Sequence, residues 1–362
     1  MRVGVPREIK LHESRIALLP NEVSQLVASG HSVMIETGAG SMAGATDEDY
    51  RNIGAVVVSD AADLYVQSDM IVKVKEPMRS EFGLLRSNQH LIANLYCERD
   101  PALLDWLVKR KVTAIAAEKA HPVKPGNSPL AGEIAALEGV RLLLLPHGGA
   151  GRHFMRHAGV EPARALVMGL GLAGRGALRA LLGLGVRAIG LDHNARARVN
   201  ASLDWQNHDL MVDDISKLPE YLPQVDLVIN CVRWNKARKD HLIRRSDLRA
   251  MRPRSVIVDV SCDRAGAIET SMPTTWENPT YQVGGITHFC VENLPGAAPA
   301  ASSASFSDLI FSVVQPIADE GLKAIATQPW LAEAVITHKG QLVHERVAQT
   351  LGKSYEPLDP EA

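Results

Sequence analysis

The feature that most constrains this chain is the run Ala165-Leu-Val-Met-Gly-Leu-Gly-Leu-Ala-Gly-Arg-Gly. Gly169, Gly171 and Gly174 stand in Gly-x-Gly-x-x-Gly spacing, directly after an apolar strand-like stretch and at the mouth of a helical one. The first glycine allows a tight turn, the second lets the backbone approach a pyrophosphate, and the third lets helix pack on strand. The helix N-terminus then offers free N–H groups to the anion. The next apolar stretch, Arg187-Ala-Ile-Gly-Leu-Asp192, ends in a carboxylate. An aspartate at that place accepts both ribose hydroxyls and repels a 2′-phosphate, so NAD is expected rather than NADP. Arg196 and Arg198, just beyond, are the groups that would hold such a phosphate.

On either side of this motif, short apolar runs alternate with helical spacing, the pattern of βαβ units and parallel sheets. Strands are expected at Val3–Val5, Ser32–Ile35, Ala55–Val58, Met70–Val74, His90–Ala93 and Val112–Ala116. A second series follows at Ala165–Met168, Arg187–Leu191, Leu227–Asn230 and Ser255–Val260. The loop from Pro122 to Pro129 reads as a hinge. The small, polar run Ala298–Ala304 is followed by helical spacing over Phe306–Ala326 with no further strand series expected. The fold class expected is α/β, with two Rossmann-like domains built on parallel sheets, the first discontinuous, and a cleft between them. Residues 1–130 with 306–362 form a substrate domain and 131–305 the NAD domain.

A chain of 362 residues supports two cores, and 46% apolar with 22% charged residues fits a globular protein. With 39 basic and 41 acidic side chains, the net charge of −2 supplies no field for nucleic acid or an anionic membrane. A small-molecule partner and a cytoplasmic location are expected. Cys97, Cys231, Cys262 and Cys290 form no Cys-x-x-Cys pair, so neither a metal site nor a dithiol is expected, only buried thiols.

Four charged groups stand out of pattern. Lys73 and Lys75 interrupt the apolar strand Asp69-Met-Ile-Val-Lys-Val-Lys-Glu-Pro near its end, where ligands bind in parallel sheets. A partly desolvated ammonium there holds a carboxylate or polarises a carbonyl. Arg15 lies in a loop before a helix and alone reads as a surface arginine, although its guanidinium suits a two-pronged carboxylate contact. Asp263 ends the strand-like stretch Ser255–Asp263, where it either forms a turn or orients a water or an amine.

Together these segments resemble the alanine dehydrogenase and nicotinamide nucleotide transhydrogenase family, most of all its alanine dehydrogenases. The likeness runs through Met1-Arg-Val-Gly-Val-Pro-Arg-Glu-Ile-Lys, Arg15-Ile-Ala-Leu, Ile35-Glu-Thr-Gly-Ala-Gly, Lys73-Val-Lys-Glu-Pro, Pro146-His-Gly-Gly, the glycine motif, Ser255–Asp263, Ser271-Met-Pro-Thr-Thr and Cys290-Val-Glu-Asn-Leu-Pro-Gly. The resemblance implies a discontinuous substrate domain, a central NAD domain and a homo-oligomer, usually a hexamer, with a dimer as the other possibility. It also implies that Arg15 and Lys75 bind the substrate's carboxylate and carbonyl, that Asp263 holds the attacking water or departing ammonia, and that Asn293 and Leu294 lie beside the nicotinamide.

Two departures qualify it. The family's active-site histidine falls on Tyr96, in Asn94-Leu-Tyr-Cys97, and a phenol with a pKa near about 10 is a poor base unless a cation such as Lys75 lowers it. The loop Pro129-Leu-Ala-Gly-Glu133 lacks the family's serine, and its glycine is expected to leave more room. The implied reaction is reversible oxidative deamination of a small amino acid to an oxo acid and ammonia, with an altered substrate. Its proton acceptor is Tyr96, Lys75 or a water relay. An opine-type reductase, joining an oxo acid to an amino acid's amine, and a catalytically inactive NAD-binding paralogue are the alternatives.

Overall fold

The computed structural model describes residues 1–120, 126–155, 157–235 and 238–359; the first half of the expected hinge loop, residues 122–125, lies outside them. Two compact units result, one from Met1–Gly126 and Ala298–Ala362, the other from Asn127–Ala297. Both junctions fall a few residues before those expected. The strands, in chain order, are β1 (Arg2–Val5), β2 (Ser32–Glu36), β3 (Val56–Val58), β4 (Met70–Lys75), β5 (His90–Asn94), β6 (Thr113–Ala116), β7 (Arg164–Met168), β8 (Arg187–Asp192), β9 (Leu210–Asp214), β10 (Leu227–Asn230), β11 (Val256–Asp259), β12 (Thr280–Val283), β13 (Ile286–Phe289), β14 (Val335–His338) and β15 (Gln341–Leu342).

The first unit's sheet runs β15-β14-β6-β5-β4-β1-β2-β3, and the second's β12-β13-β11-β10-β7-β8-β9. Strands β1 to β6 are parallel, as are β7 to β11 with β13. Each central strand is apolar on both faces because helices cover both. Val72, Ile92 and Ile115 enter one core of the first unit, while Ile71, Leu91 and Ala114 enter the other. In the second unit Val167, Ile229 and Val258 face one core, and Leu166, Val228 and Ile257 the other. Strand order reverses beside β1 and beside β7, the places where open α/β sheets bind ligands past the carboxyl ends of their strands.

The chain after residue 306 does not lack strands. Antiparallel β14 and β15 extend the first sheet beyond β6, and antiparallel β12 closes the second beside β13. The helix expected from Phe306 begins at Pro299 and runs to Glu320, so the small, polar run is its first turns. Ser303 and Ser307 lie fully buried there, and their hydroxyls accept the backbone N–H groups of Ile16 and Leu19 at 3.1 and 2.8 Å. Small side chains let that helix approach the Arg15 loop closely while satisfying its backbone.

Candidate active site

In the second unit, Gly169 takes φ +86, a left-handed conformation that favours glycine, and its N–H donates to Leu191 O at 2.7 Å. A Cβ on Gly174 would stand 1.7 Å from the Gly169 carbonyl oxygen, so only glycine allows the helix Leu172–Gly183 to begin this close to the turn. Gly171 is the N-cap of that helix, and a Cβ there would meet nothing within 4 Å. The backbone at the helix N-terminus is therefore open to close approach, and the first-turn N–H groups have no acceptor within the helix.

The carboxylate of Asp192, at the end of β8, accepts Leu170 N and Asn194 N, each at 2.7 Å. It thus braces the glycine turn while keeping lone pairs for further donors. Arg198 is committed to Asp192 O and to the Asp214 carboxylate, both at 2.7 Å, and Arg196 is exposed. The turn, the helix N-terminus and the carboxylate together fit a dinucleotide without a 2′-phosphate.

Past the end of β11 the chain departs from expectation. The strand stops at Asp259, and Asp263 lies on a turn in which Cys262 and Ala265 have positive φ. The residue sequence reasoning missed is Asp259 itself, 1% exposed. Its carboxylate accepts Asn230 Nδ2 at 2.9 Å, Ser271 Oγ at 2.5 Å, Ser261 N at 3.1 Å and Cys262 N at 3.3 Å. Burial raises its pKa, against those four donors. Asp259 therefore organises the loop that presents Asp263, which is only half-buried.

Asn293 has φ +63, and Leu294, 3% exposed, belongs to the core of this unit. Cys290 is buried, whereas Cys231 and Cys262 are only partly so; burial nonetheless raises all three thiols, Cys290 to about 11. The loop glycine Gly132 does not enlarge a pocket. A Cβ there would lie 1.8 Å from Ala173 O, so the space is filled by close packing of the helices Ser128–Leu142 and Leu172–Gly183.

In the first unit, Arg15 is not a surface residue. It is 4% exposed, and its Nε and Nη2 bind the two Glu13 carboxylate oxygens at 2.7 and 2.5 Å. Glu8, Glu13, Arg15 and Gly38 line one cavity above the ends of β1 and β2. Lys75 is half-buried at the end of β4. Burial, then the neighbouring cations Arg15 and Lys10, lowers its pKa. Lys73, expected beside it as a second ligand group, is instead 1% exposed and paired with Glu8 at 3.2 Å and Glu81 at 2.8 Å. Burial pulls Lys73 down, but the two carboxylates outweigh it and the net shift is upward.

Tyr96 takes φ +44 and is 37% exposed, a strained backbone for a bulky residue. The Glu118 carboxylate holds it by accepting Leu95 N at 2.9 Å and Tyr96 N at 2.8 Å. The Arg99 guanidinium lies 5.3 Å from the Tyr96 ring centre. Desolvation and Glu118 raise the phenol's pKa, with Arg99 and Arg15 opposing them without reversing the shift. The condition under which the phenol would serve as a base, a cation that lowers its pKa, is therefore not met.

Among the described residues no group of three or more His, Cys, Asp or Glu side chains is placed to hold a metal, and no helix is long and apolar enough to cross a membrane. Residues 4–135 match the alanine dehydrogenase/PNT N-terminal domain and residues 135–345 the C-terminal domain of the same description. The alanine dehydrogenase of Halomonas elongata is 36% identical over 98% of this chain and 98% of its own. A solved L-alanine dehydrogenase superposes with a TM-score of 0.90 at 34% identity, covering 97% of this chain and 99% of that one. A transhydrogenase from Sinorhizobium meliloti does so with 0.77 at 25% identity, covering 96% and 100%.

Proposed function

The chain belongs to the alanine dehydrogenase/PNT family, and from that premise we propose that it is an NAD-dependent amino-acid dehydrogenase. It interconverts a small amino acid with an oxo acid and ammonia. The observation that carries this reading is that the chain holds both a glycine turn braced by Asp192 and, past the strand ends of its first sheet, buried Arg15 and half-buried Lys75. Bound NAD supplies the acceptor for the hydride that leaves the substrate's α-carbon.

Every other part of the reaction falls to the chain's own residues. The first-turn N–H groups after Gly171 take the pyrophosphate, and Asp192 takes the ribose hydroxyls. Commitment of Arg198 to Asp214 leaves a 2′-phosphate without that partner, which favours NAD over NADP. Arg15, held flat by Glu13, grips the carboxylate in a two-pronged contact, and Lys75 polarises the carbonyl end. Asn293 and the backbone of Leu294 border the nicotinamide.

Asp263 holds the water that adds to the imine and the ammonia that departs. Tyr96, raised in pKa, is not the base. Lys75, whose pKa burial and the cations Arg15 and Lys10 lower, is the proton acceptor this reading favours over Tyr96, whose pKa burial raises. The Tyr96–Arg99 segment is where the substrate's side chain is chosen. The protein works as a homo-oligomer in the cytoplasm, and light scattering separates hexamer from dimer.

Replacing Asp263 with Asn tests the assignment. Turnover should fall by at least about 1000-fold, in the upper range of a lost acid or base, while NADH still binds. Retained turnover rejects it. Wild-type protein supplied with amino acids and NAD, and with oxo acids and NADH with and without ammonium, reads the nitrogen partner. Free ammonia supports the deaminase, and a secondary amine would replace it with the opine-type reaction.

A further inference from the structure

Strand β4 carries an irregularity just below Lys75. Its pairing with β5 is regular from Met70↔His90 to Val72↔Ile92, but Lys75 then pairs with Asn94, so β4 spends one more residue than β5 on the same interval. The N–H groups of Val74 and Lys75 both donate to Glu8 Oε1, at 2.6 and 3.2 Å. The Val74 carbonyl accepts Asn94 Nδ2 at 2.8 Å. Side chains thus serve the backbone groups of the bulge.

Glu8 is itself fixed from below. It is 8% exposed, its second oxygen lies 3.2 Å from Lys73 Nζ, and Lys73 reaches on to Glu81. Glu81 in turn accepts the Tyr65 hydroxyl at 2.8 Å and Met78 N at 2.7 Å. A buried polar network satisfied in this way is stiff, and a bulge at a strand end re-aims the side chain it carries. Glu8 also borders the cavity that Arg15 and Glu13 line. One carboxylate therefore connects the loop of Arg15 to the strand end of Lys75.

We propose that Glu8 is a positioning residue for substrate binding: its carboxylate closes the bulge at Val74 and Lys75 and so sets where the Lys75 ammonium stands relative to Arg15. This rests on the assignment of Lys75 and Arg15 to the substrate's carboxyl end. It explains why two lysines on one strand have different work, since Lys73 anchors the carboxylate that holds Lys75 in place.

The test uses the full-length enzyme with L-alanine as the first probe, or the amino acid that wild type turns over fastest. Glu8→Gln keeps the size and one acceptor but turns an amide toward Lys73. The paired change Glu8→Leu with Lys73→Met, made together with Glu81→Gln so that no buried charge is left without its partner, removes the charges of the network as a set, which preserves folding in many proteins, and leaves the bulge N–H groups without their acceptor. In the paired variant, KM for the amino acid should rise about tenfold or more with kcat changed less and the NADH dissociation constant unchanged. Glu8→Gln should lie between it and wild type. An unchanged KM in a folded paired variant overturns the proposal, as does a loss of NADH binding equal to the rise in KM, which would mark a purely structural role. Lys75→Met runs alongside: if it too leaves KM unaltered, the assignment of Lys75 has failed, whereas a raised KM in Lys75→Met with none in the Glu8 variants removes Glu8 alone.

Discussion

The two units share a strand order and differ in the turn that follows their first strand. After β7 the chain closes at once through Gly169 and Gly171 into a helix, and what it offers a ligand is backbone N–H. After β1 it enters a long loop that reaches its helix only at Pro20, and what it offers is side chains: Glu8 against the bulge, Glu13 and Arg15 in a buried pair. The carboxyl end of the same kind of sheet thus presents two different chemistries. On the proposed reading, a phosphate ester is met by dipoles that need no counter-charge, and a small carboxylate by a guanidinium whose own charge Glu13 balances. Topology chooses the place, and the first loop chooses the chemistry.

The largest effect expected from this contrast lies at Gly174. Gly174→Ala places a methyl group against the Gly169 carbonyl, and NADH affinity should fall by about 100-fold or more, about 2.7 kcal/mol, in a fluorescence titration. Binding within threefold of wild type would show that the glycine turn is not the anion cradle. Tyr96→Phe comes next. With the phenol's pKa raised, removing the hydroxyl should lower kcat by less than about tenfold and leave the pH profile near neutrality unaltered, since general acid–base groups contribute about 100-fold or more. A loss of that larger size would return the proton-transfer role to Tyr96.

The smallest effect concerns Lys75. Lys10 helps depress its pKa and is itself paired with Glu76 at 2.5 Å. Lys10→Gln removes a like charge and releases Glu76, and both changes favour the protonated ammonium. The limb of the kcat/KM profile that reports Lys75 should therefore move to higher pH, by less than about one unit for a change of about 1 kcal/mol. Movement to lower pH would mean that the limb belongs to another group.

How much of this was legible in the sequence differs with the distance over which each signal acts. The glycine turn and Asp192 were readable because strand, turn, helix and acid follow one another without a break. The central parallel strands were readable because burial on both faces makes them continuously apolar. Strands β12 to β15 were not: each has two to four residues at or near a sheet edge, too few to show a period.

Charged residues gave the weakest signal, since their meaning depends on partners far along the chain. Lys73 and Lys75 look alike in sequence, and only Glu8 and Glu81 distinguish the anchored one. Asp259 and Asp263 sit in one apolar stretch, and Asn230 and Ser271 decide which is buried. In sequence Gly132 suggests added room, but the carbonyl of Ala173 fills that space.

The serines that bind Ile16 and Leu19 impose an order on synthesis. The loop bearing Arg15 emerges from the ribosome nearly three hundred residues before Ser303 and Ser307 do, and β6 likewise precedes its partner β14 by a long stretch of chain. Residues 127–297 can complete their sheet while the first unit still lacks its C-terminal helices and its last two strands. A nascent chain that lacks residue 299 and everything after it should therefore be able to form the glycine turn and its helix while the proposed amino-acid site still lacks the serines that hold its loop.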